Sequence, residues 1–441
     1  MNRNILRLAL PNIITNITVP LLGIVDMAIV GHLSSTHIGA ITIGTSIFNL
    51  IYWNFGFLRM GTSGFTAQAF GARNFAEVVR IFVRAFAIAM VIALLLLVFQ
   101  RPVGRFACWI LNCGGDIMRL AMIYFSVRIW AAPATLGLYA IKGWFIGMQN
   151  SKAPMWIAIF INVVNIVCSL VFVLVLKWDI AGVALGTVIA QYSGLLLGFV
   201  IGWRKYGNLF RKHIDIRGSL RLRQMLGFFK VNGDIFLRTV CLCAVFTFIT
   251  SASAKISDQI LEIDALLLQF FTLFSYIMDG FAYAGEALVG RYIGERNKPL
   301  LQKSVRYLLV WGLALTVAFT ALYAAFGDYF LLVFTSDKTL IAGVQDYLFW
   351  ILLVPVCGFA AFLFDGIFVG ATASRTMRNA MFVATAAFFG VYYGLPYIIT
   401  VPETDIVLKN NILWTAFMVY LVLRGVLQGA FVRKSVYGKI S

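Results

Sequence analysis

Charge is scarce in this chain of 441 residues: Asp, Glu, Lys and Arg together make up 12% of it, against about 25% in soluble domains. With 61% hydrophobic residues and a mean hydropathy of +0.89, that shortage excludes a water-soluble enzyme or binding module. Histidine is almost missing, at three residues, and the sequence shows no metal-ligand spacing. Paired acidic motifs of the DxxxD kind are absent too, which argues against a metal-dependent membrane enzyme. The six cysteines say little. Cys168, Cys241, Cys243 and Cys357 fall inside apolar runs, where a structural role is expected, whereas Cys108 and Cys113 share one loop and are close enough for a disulfide. Alternating segments of about ten residues, the mark of a membrane β-barrel, are also absent.

What remains is a series of long, continuous apolar runs. Twelve are readable, at about 5–32, 41–68, 82–100, 120–147, 154–176, 180–203, 225–254, 260–290, 304–326, 342–371, 378–400 and 411–433. Each supplies the ~20 residues that a spanning helix needs, so the fold class is an all-α polytopic membrane protein. The first run has polar interruptions and no small-residue cleavage site, and so does not read as a signal peptide. An even number of spans puts both termini on one side. The segments on that side hold the majority of the 36 Lys and Arg, and the opposite set about seven. By the positive-inside rule both termini are expected in the cytoplasm, in a bacterial inner membrane. The net charge of +18 is thereby explained without nucleic acid. The most basic stretch, "WRKYGNLFRKHIDIRGSLRLRQ", reads as a cytoplasmic linker resting on anionic lipid headgroups.

That linker falls between the sixth and seventh spans, which invites a search for a repeat. "GARN" at 71–74 and "GERN" at 294–297 are 223 residues apart, and "GWFIGMQNSK" at 143–152 meets "GIFVGATASR" at 366–375 at the same offset. Gly143, Phe145, Gly147, Ser151 and Lys152 align with Gly366, Phe368, Gly370, Ser374 and Arg375. Six spans separate the copies, so the halves share orientation and form a parallel repeat about an axis along the membrane normal. The expected organisation is an N-lobe (1–203), a linker (204–224) and a C-lobe (225–441).

Ionisable residues inside spans are costly and mark function or internal pairing. Asp26 lies deep in the first span, in "LLGIVDMAIVGHL". Burial disfavours its charged form, so reversible protonation or cation binding becomes accessible. Pro11 and Pro20 share its helix, where each removes a hydrogen bond and favours a kink. In the fifth span Asn162, Asn165 and Ser169 recur at three and four residues, and in the sixth Thr187 and Gln191 are four apart. Each set lies on one helical face. Such residues either glue helices together, at about 0.6 kcal/mol per contact, or line a polar pocket with Asp26. In the second half Asp234 and Arg238 are spaced for an intrahelical ion pair. Asp279 and Glu286 lie two turns apart with Tyr283 between, and Asp365 sits in the tenth span. Arg59 and Arg128 are cations inside spans. For these residues internal salt bridges and cavity lining both stay open.

Taken together, "VDMAIVGHL", "RIWAAPA" leading to "GWFIGMQNSKAP", "INVVNIVCSL", "GVALGTVIAQY" and "DGFAYAGEALVG" resemble the MATE (multidrug and toxic compound extrusion) family, nearest its DinF branch. The resemblance runs along the whole chain. It implies a twelve-helix, two-lobed, V-shaped exporter that exchanges toxic organic compounds, often cationic, for inward H+ or Na+. It further implies that Asp26 is the first-helix acid of the N-lobe cation site, Pro11 the bend proline, Asn165 and Thr187 the polar partners on helices five and six, and Tyr124 the fourth-helix tyrosine. One departure is visible: many relatives carry a second carboxylate where this chain has Ser169. Glu286 and Asp279 match residues common in the DinF branch, and Asp365 stands about a turn from the tenth-helix acid of another branch.

The expectation is therefore a secondary active exporter, not an enzyme, working by alternating access with Asp26 as the coupling carboxylate. No cofactor is expected beyond the coupling ion, H+ or Na+. The expected partners are amphipathic, cationic small molecules and membrane lipids, with the chain acting as a monomer. The rival is a lipid-linked oligosaccharide flippase of the same superfamily, for which Arg59, Arg128 and Arg238 would have to form a pyrophosphate-binding cluster.

Overall fold

The computed structural model describes the backbone of residues 1–31, 35–110, 115–335, 337–399, 402 and 405–440. The side chains of 19, 21, 22, 24–31, 35, 36, 38, 107–110, 115, 116, 217, 222, 223, 328, 333, 334 and 338 are outside the described residues, so a Cys108–Cys113 disulfide falls outside them too. The described chain is helical: α1 (Asn2–Gly31), α2 (Ser35–Asn54), α3 (Phe57–Gly71), α4 (Phe75–Val98), α5 (Gln100–Ile110), α6 (Gly115–Arg128), α7 (Ala132–Gly147), α8 (Lys152–Leu170) and α9 (Asp179–His213). There follow α10 (Ile216–Ser219), α11 (Leu222–Ile256), α12 (Asp258–Gly294), α13 (Lys298–Phe334), α14 (Lys338–Gln345), α15 (Leu348–Gly370), α16 (Ser374–Ile398) and α17 (Ile406–Ser435).

Eleven helical stretches among the described residues are long and apolar enough to cross a membrane, and they coincide with the second to twelfth runs of the sequence. The first run is α1, which carries Pro11 and Pro20 within it. Helices are what lipid demands, because each satisfies its own backbone polar groups. The apolar faces turned outward fit the same solvent. On α4, Val91, Leu94, Leu95 and Val98 each leave half or more of their surface uncovered, as do Val310, Leu313 and Val317 on α13. In water such stripes would be a liability; against acyl chains they cost nothing.

The chain divides into two compact units, Leu10–Asn232 and Met1–Ala9 with Gly233–Ser441. Within the first, α3 and α4 pack on α7, and α8 on α9; within the second, α12 and α13 pack on α15, and α16 on α17. The 223-residue offset reappears in backbone detail. A Cβ at Gly143 would strike the carbonyl oxygen of Arg59, and one at Gly366 that of Ala282. A turn later, a Cβ at Gly147 would lie 2.7 Å from the Ser63 oxygen, and one at Gly370 2.6 Å from that of Glu286. The repeated glycines are thus there because each helix pair meets backbone to backbone. The turns repeat too: Arg73 and Arg296, and Gln149 and Thr372, hold left-handed φ angles of 54°, 52°, 61° and 50°. Asn74 and Asn297 then cap the next helix, each accepting a backbone N–H at 3.1 Å.

The basic segment 204–224 is more ordered than a linker needs to be. Helix α9 continues through it to His213, and Asp215 caps the short α10 by accepting from the Gly218 N–H at 2.9 Å. Arg84, a buried cation of α4, donates to the Ser219 carbonyl at 2.8 Å, to Glu77 at 2.9 Å, and to Gln224.

Candidate functional site

In the first unit the polar residues of the fifth and sixth spans meet along the α8–α9 seam. Asn165, Ser169 and Thr187 are exposed by 0%, 0% and 2%. The Asn165 amide donates to the Thr187 hydroxyl at 3.0 Å, and that hydroxyl donates to the Val183 carbonyl at 3.2 Å. Ser169 sits against Gly186, where an added Cβ would lie 2.8 Å from its hydroxyl oxygen. That oxygen is buried and has no hydrogen-bond partner among the described residues. Immediately beyond it, α8 widens into a π turn at Val171–Val175, a feature frequent at functional sites. Gln191, one turn after Thr187, is half-buried.

Asn162 connects this seam to α1 by donating to the Thr18 carbonyl at 2.8 Å. On α1 itself, Thr15 donates to the Pro11 carbonyl at 2.9 Å and Thr18 to the Thr15 carbonyl at 2.7 Å. These side chains brace the backbone next to the proline, where the helix lacks an N–H. The side chain of Asp26 is outside the described residues. Tyr124 belongs to another group of contacts: it is fully buried on α6 against Gly44 of α2 and accepts a hydrogen bond from Arg128. The Arg128 guanidinium lies 4.8 Å from the Phe48 ring centroid and 5.3 Å from that of Tyr124, so this span cation rests on aromatic faces.

The second unit corrects one expectation. Asp234 and Arg238 do not pair with each other along α11. Asp234 accepts from Arg378 at 2.5 Å and from the Ser374 hydroxyl at 2.8 Å, both on α16. Arg238 reaches Asp365 of α15 instead. The reason is packing: an i, i+4 pair is worth only a few tenths of a kcal/mol on a free helix, whereas a buried charge left without an interhelical partner costs several. Asp365 is the hub, taking Arg238, Arg424 at 2.8 Å and Gln428 at 2.8 Å. Glu286 is 1% exposed, with its backbone under Gly370, and Asp279 is half-buried on the same helix.

Arg424 and Gln428 escaped the sequence reading, although a lone arginine in "YLVLRGVLQG" with a glutamine one turn on was a usable signal. Asp264 escaped it too. It is 1% exposed near the start of α12, in contact with Ser253, Asn410 and Trp414. It stands near the start of the apolar run at about 260–290, in "LEIDALLLQ", where an acid inside a span was again a usable signal.

The repeat and the whole-chain motifs find their counterpart among known proteins. The MatE family model matches residues 11–171 and again 235–394, two stretches that begin 224 and end 223 residues apart. The chain belongs to the MatE family. This MATE chain is 33% identical over 97% of its length to DNA damage-inducible protein F of Escherichia coli, of which it covers 91%. It is 24% identical over 77% of its length to human multidrug and toxin extrusion protein 1, covering 59% of that protein. Among solved structures it superposes on a MATE in the bent conformation with a TM-score of 0.87 at 17% identity, covering 99% of this chain and 96% of the other. An outward-facing multidrug resistance MATE transporter gives 0.82 at 18% identity, with the same coverage. The all-helical membrane fold of the MATE chain is therefore that of these transporters.

Proposed function

We propose that this chain is a secondary active exporter of drugs and other toxic organic compounds, driven by inward H+ or Na+, with Asp26 as the coupling carboxylate. The relatives named for multidrug and toxin extrusion, and the kinship to the E. coli protein along nearly the whole chain, support the transport class. The observation that carries the coupling role is the Asn162–Thr18 bond, which fixes the relative height of α1 and α8. The first and fifth spans run in the same direction, and both rise about 1.5 Å per residue. Asp26 comes eight residues after Thr18, and Ser169 seven after Asn162. By helix rise alone, the Asp26 position and the Ser169 hydroxyl, unpartnered among the described residues, stand at about one depth, a turn or more along from the Asn165–Thr187 pair.

A carboxylate at that depth, flanked by neutral oxygens, suits a proton or a sodium ion. When Asp26 takes up the cation, α1 bends at its prolines and the polar seam closes, so the organic substrate leaves outward. Loss of the cation to the cytoplasm restores substrate affinity, and linkage makes the two effects reciprocal. The substrates are amphipathic and cationic small molecules, the membrane is the bacterial inner membrane, and both termini face the cytoplasm. The flippase reading loses one of its arginines, because Arg238 is spent on Asp365. The test is efflux of a fluorescent organic cation from proteoliposomes under imposed proton or sodium gradients. Efflux driven by one of them is expected; a protein inert to both that moves a pyrophosphate-linked lipid analogue would overturn the proposal.

A further inference from the structure

Beside Asp264, the Ser253 hydroxyl faces two oxygens with one hydrogen to give. Asp264 accepts at Oδ1 from the Asn410 amide at 2.9 Å and from the Trp414 indole N–H at 2.8 Å, groups that at these atoms only donate. Its Oδ2 meets the Ser253 hydroxyl oxygen. That same oxygen lies 2.9 Å from the Ile249 carbonyl, an oxygen that only accepts. A serine hydroxyl has one hydrogen for these two contacts. Its ordinary use within a helix is the bond back to the carbonyl four residues earlier. With that bond kept, the hydrogen between Ser253 and Asp264 comes from the carboxyl: Asp264 donates to Ser253, and Ser253 donates to Ile249. In that arrangement each close oxygen–oxygen contact holds a hydrogen.

The surroundings agree. The groups that act on Asp264 from α11 and α17 are Ser253, Asn410 and Trp414, all neutral, and the titratable group facing it from the α14–α15 junction is the Tyr347 phenol. Asp346 and Asp405 act on Tyr347 from beyond and bring further negative charge, not positive. The Tyr347 hydroxyl and Asn410 Oδ1 face each other, buried, without a hydrogen bond of ordinary geometry. Asp264 and Ser253 also line a cavity of about 230 Å³ with Thr250 and Gln269, room enough for several waters.

We propose that Asp264 is a second proton-binding site, separate from Asp26, held as the neutral acid in this conformation and exchanging its proton through the adjoining cavity to help couple transport. The coupling role rests on the exporter reading; the protonation does not. Infrared spectroscopy of the full chain in lipid at neutral pH reads the protonation directly. The wild type is expected to show a carboxylic-acid C=O band that Asp264→Asn removes. Asn supplies the same pattern, one acceptor oxygen and a donor toward Ser253, so this variant keeps its fold. Ser253→Ala takes away the acceptor and is expected to move the band to higher frequency, which keeps the test open if Asp264→Asn does not express. A difference confined to carboxylate bands, or an acid band erased by added sodium, would overturn the proposal. In proteoliposomes, proton-driven efflux is expected to fall about tenfold in Asp264→Asn. Undiminished efflux beside an intact wild-type acid band would overturn the coupling role alone.

Discussion

Asp365 shows how one carboxylate can organise several helices. It neutralises Arg238 from α11 and engages Arg424 and Gln428 from α17, all of them almost wholly buried. Removing it takes from two buried guanidinium groups the carboxylate they share. Asp365→Ala is therefore expected to cost about 3–5 kcal/mol, read as a lower unfolding temperature in detergent, and Asp365→Asn less because the amide oxygen still accepts. Asn165 is the opposite case. A contact such as its bond to Thr187 is worth about 0.6 kcal/mol, so Asn165→Ala is expected to lower thermal stability little while efflux falls severalfold. Equal loss of both would mean that the seam is only glue. At this scale the sequence was partly readable. The spacing of Asn162, Asn165 and Ser169 announced a polar face, but spacing alone cannot choose between a partner on the same helix and one across the bundle. That is why Asp234 and Arg238 looked like a pair and are not.

Among the elements, the paired crossings α3–α7 and α12–α15 are the most legible feature of the chain. Glycines at one offset in both halves announced them, and the structure shows why only glycine serves: a Cβ would enter a backbone carbonyl of the facing helix. Gly366→Ala and Gly143→Ala are each expected to destabilise by about 1–3 kcal/mol through overpacking. Gly390→Ala, on α16 with nothing within 4 Å of the added carbon, is expected to be neutral or slightly stabilising. Unfolding temperatures of the three variants check this; equal effects would remove the close-approach account. The basic segment after the sixth span was harder to read. Its charge pattern says cytoplasmic surface, but no local signal says that α9 continues to His213 or that Arg84, far away in sequence, holds the Ser219 carbonyl.

For the molecule as a whole, the shortage of charge, the apolar runs and the repeat were enough to specify an all-helical membrane fold, because lipid permits few alternatives. The position of the buried acids was less legible. Asp264 lies where an apolar run begins, and its burial depends on Ser253, Asn410 and Trp414, which come from two other helices. The central claim is that Asp26 carries the coupling ion. Its most direct test is exchange in proteoliposomes: a fluorescent organic cation inside, a proton or sodium gradient imposed, and wild type compared with Asp26→Asn. The account predicts gradient-driven efflux in the wild type and its loss in Asp26→Asn, with the variant still folded and inserted. Efflux at the wild-type rate in Asp26→Asn, still driven by the gradient, would contradict it and move the coupling to the carboxylates of the second unit.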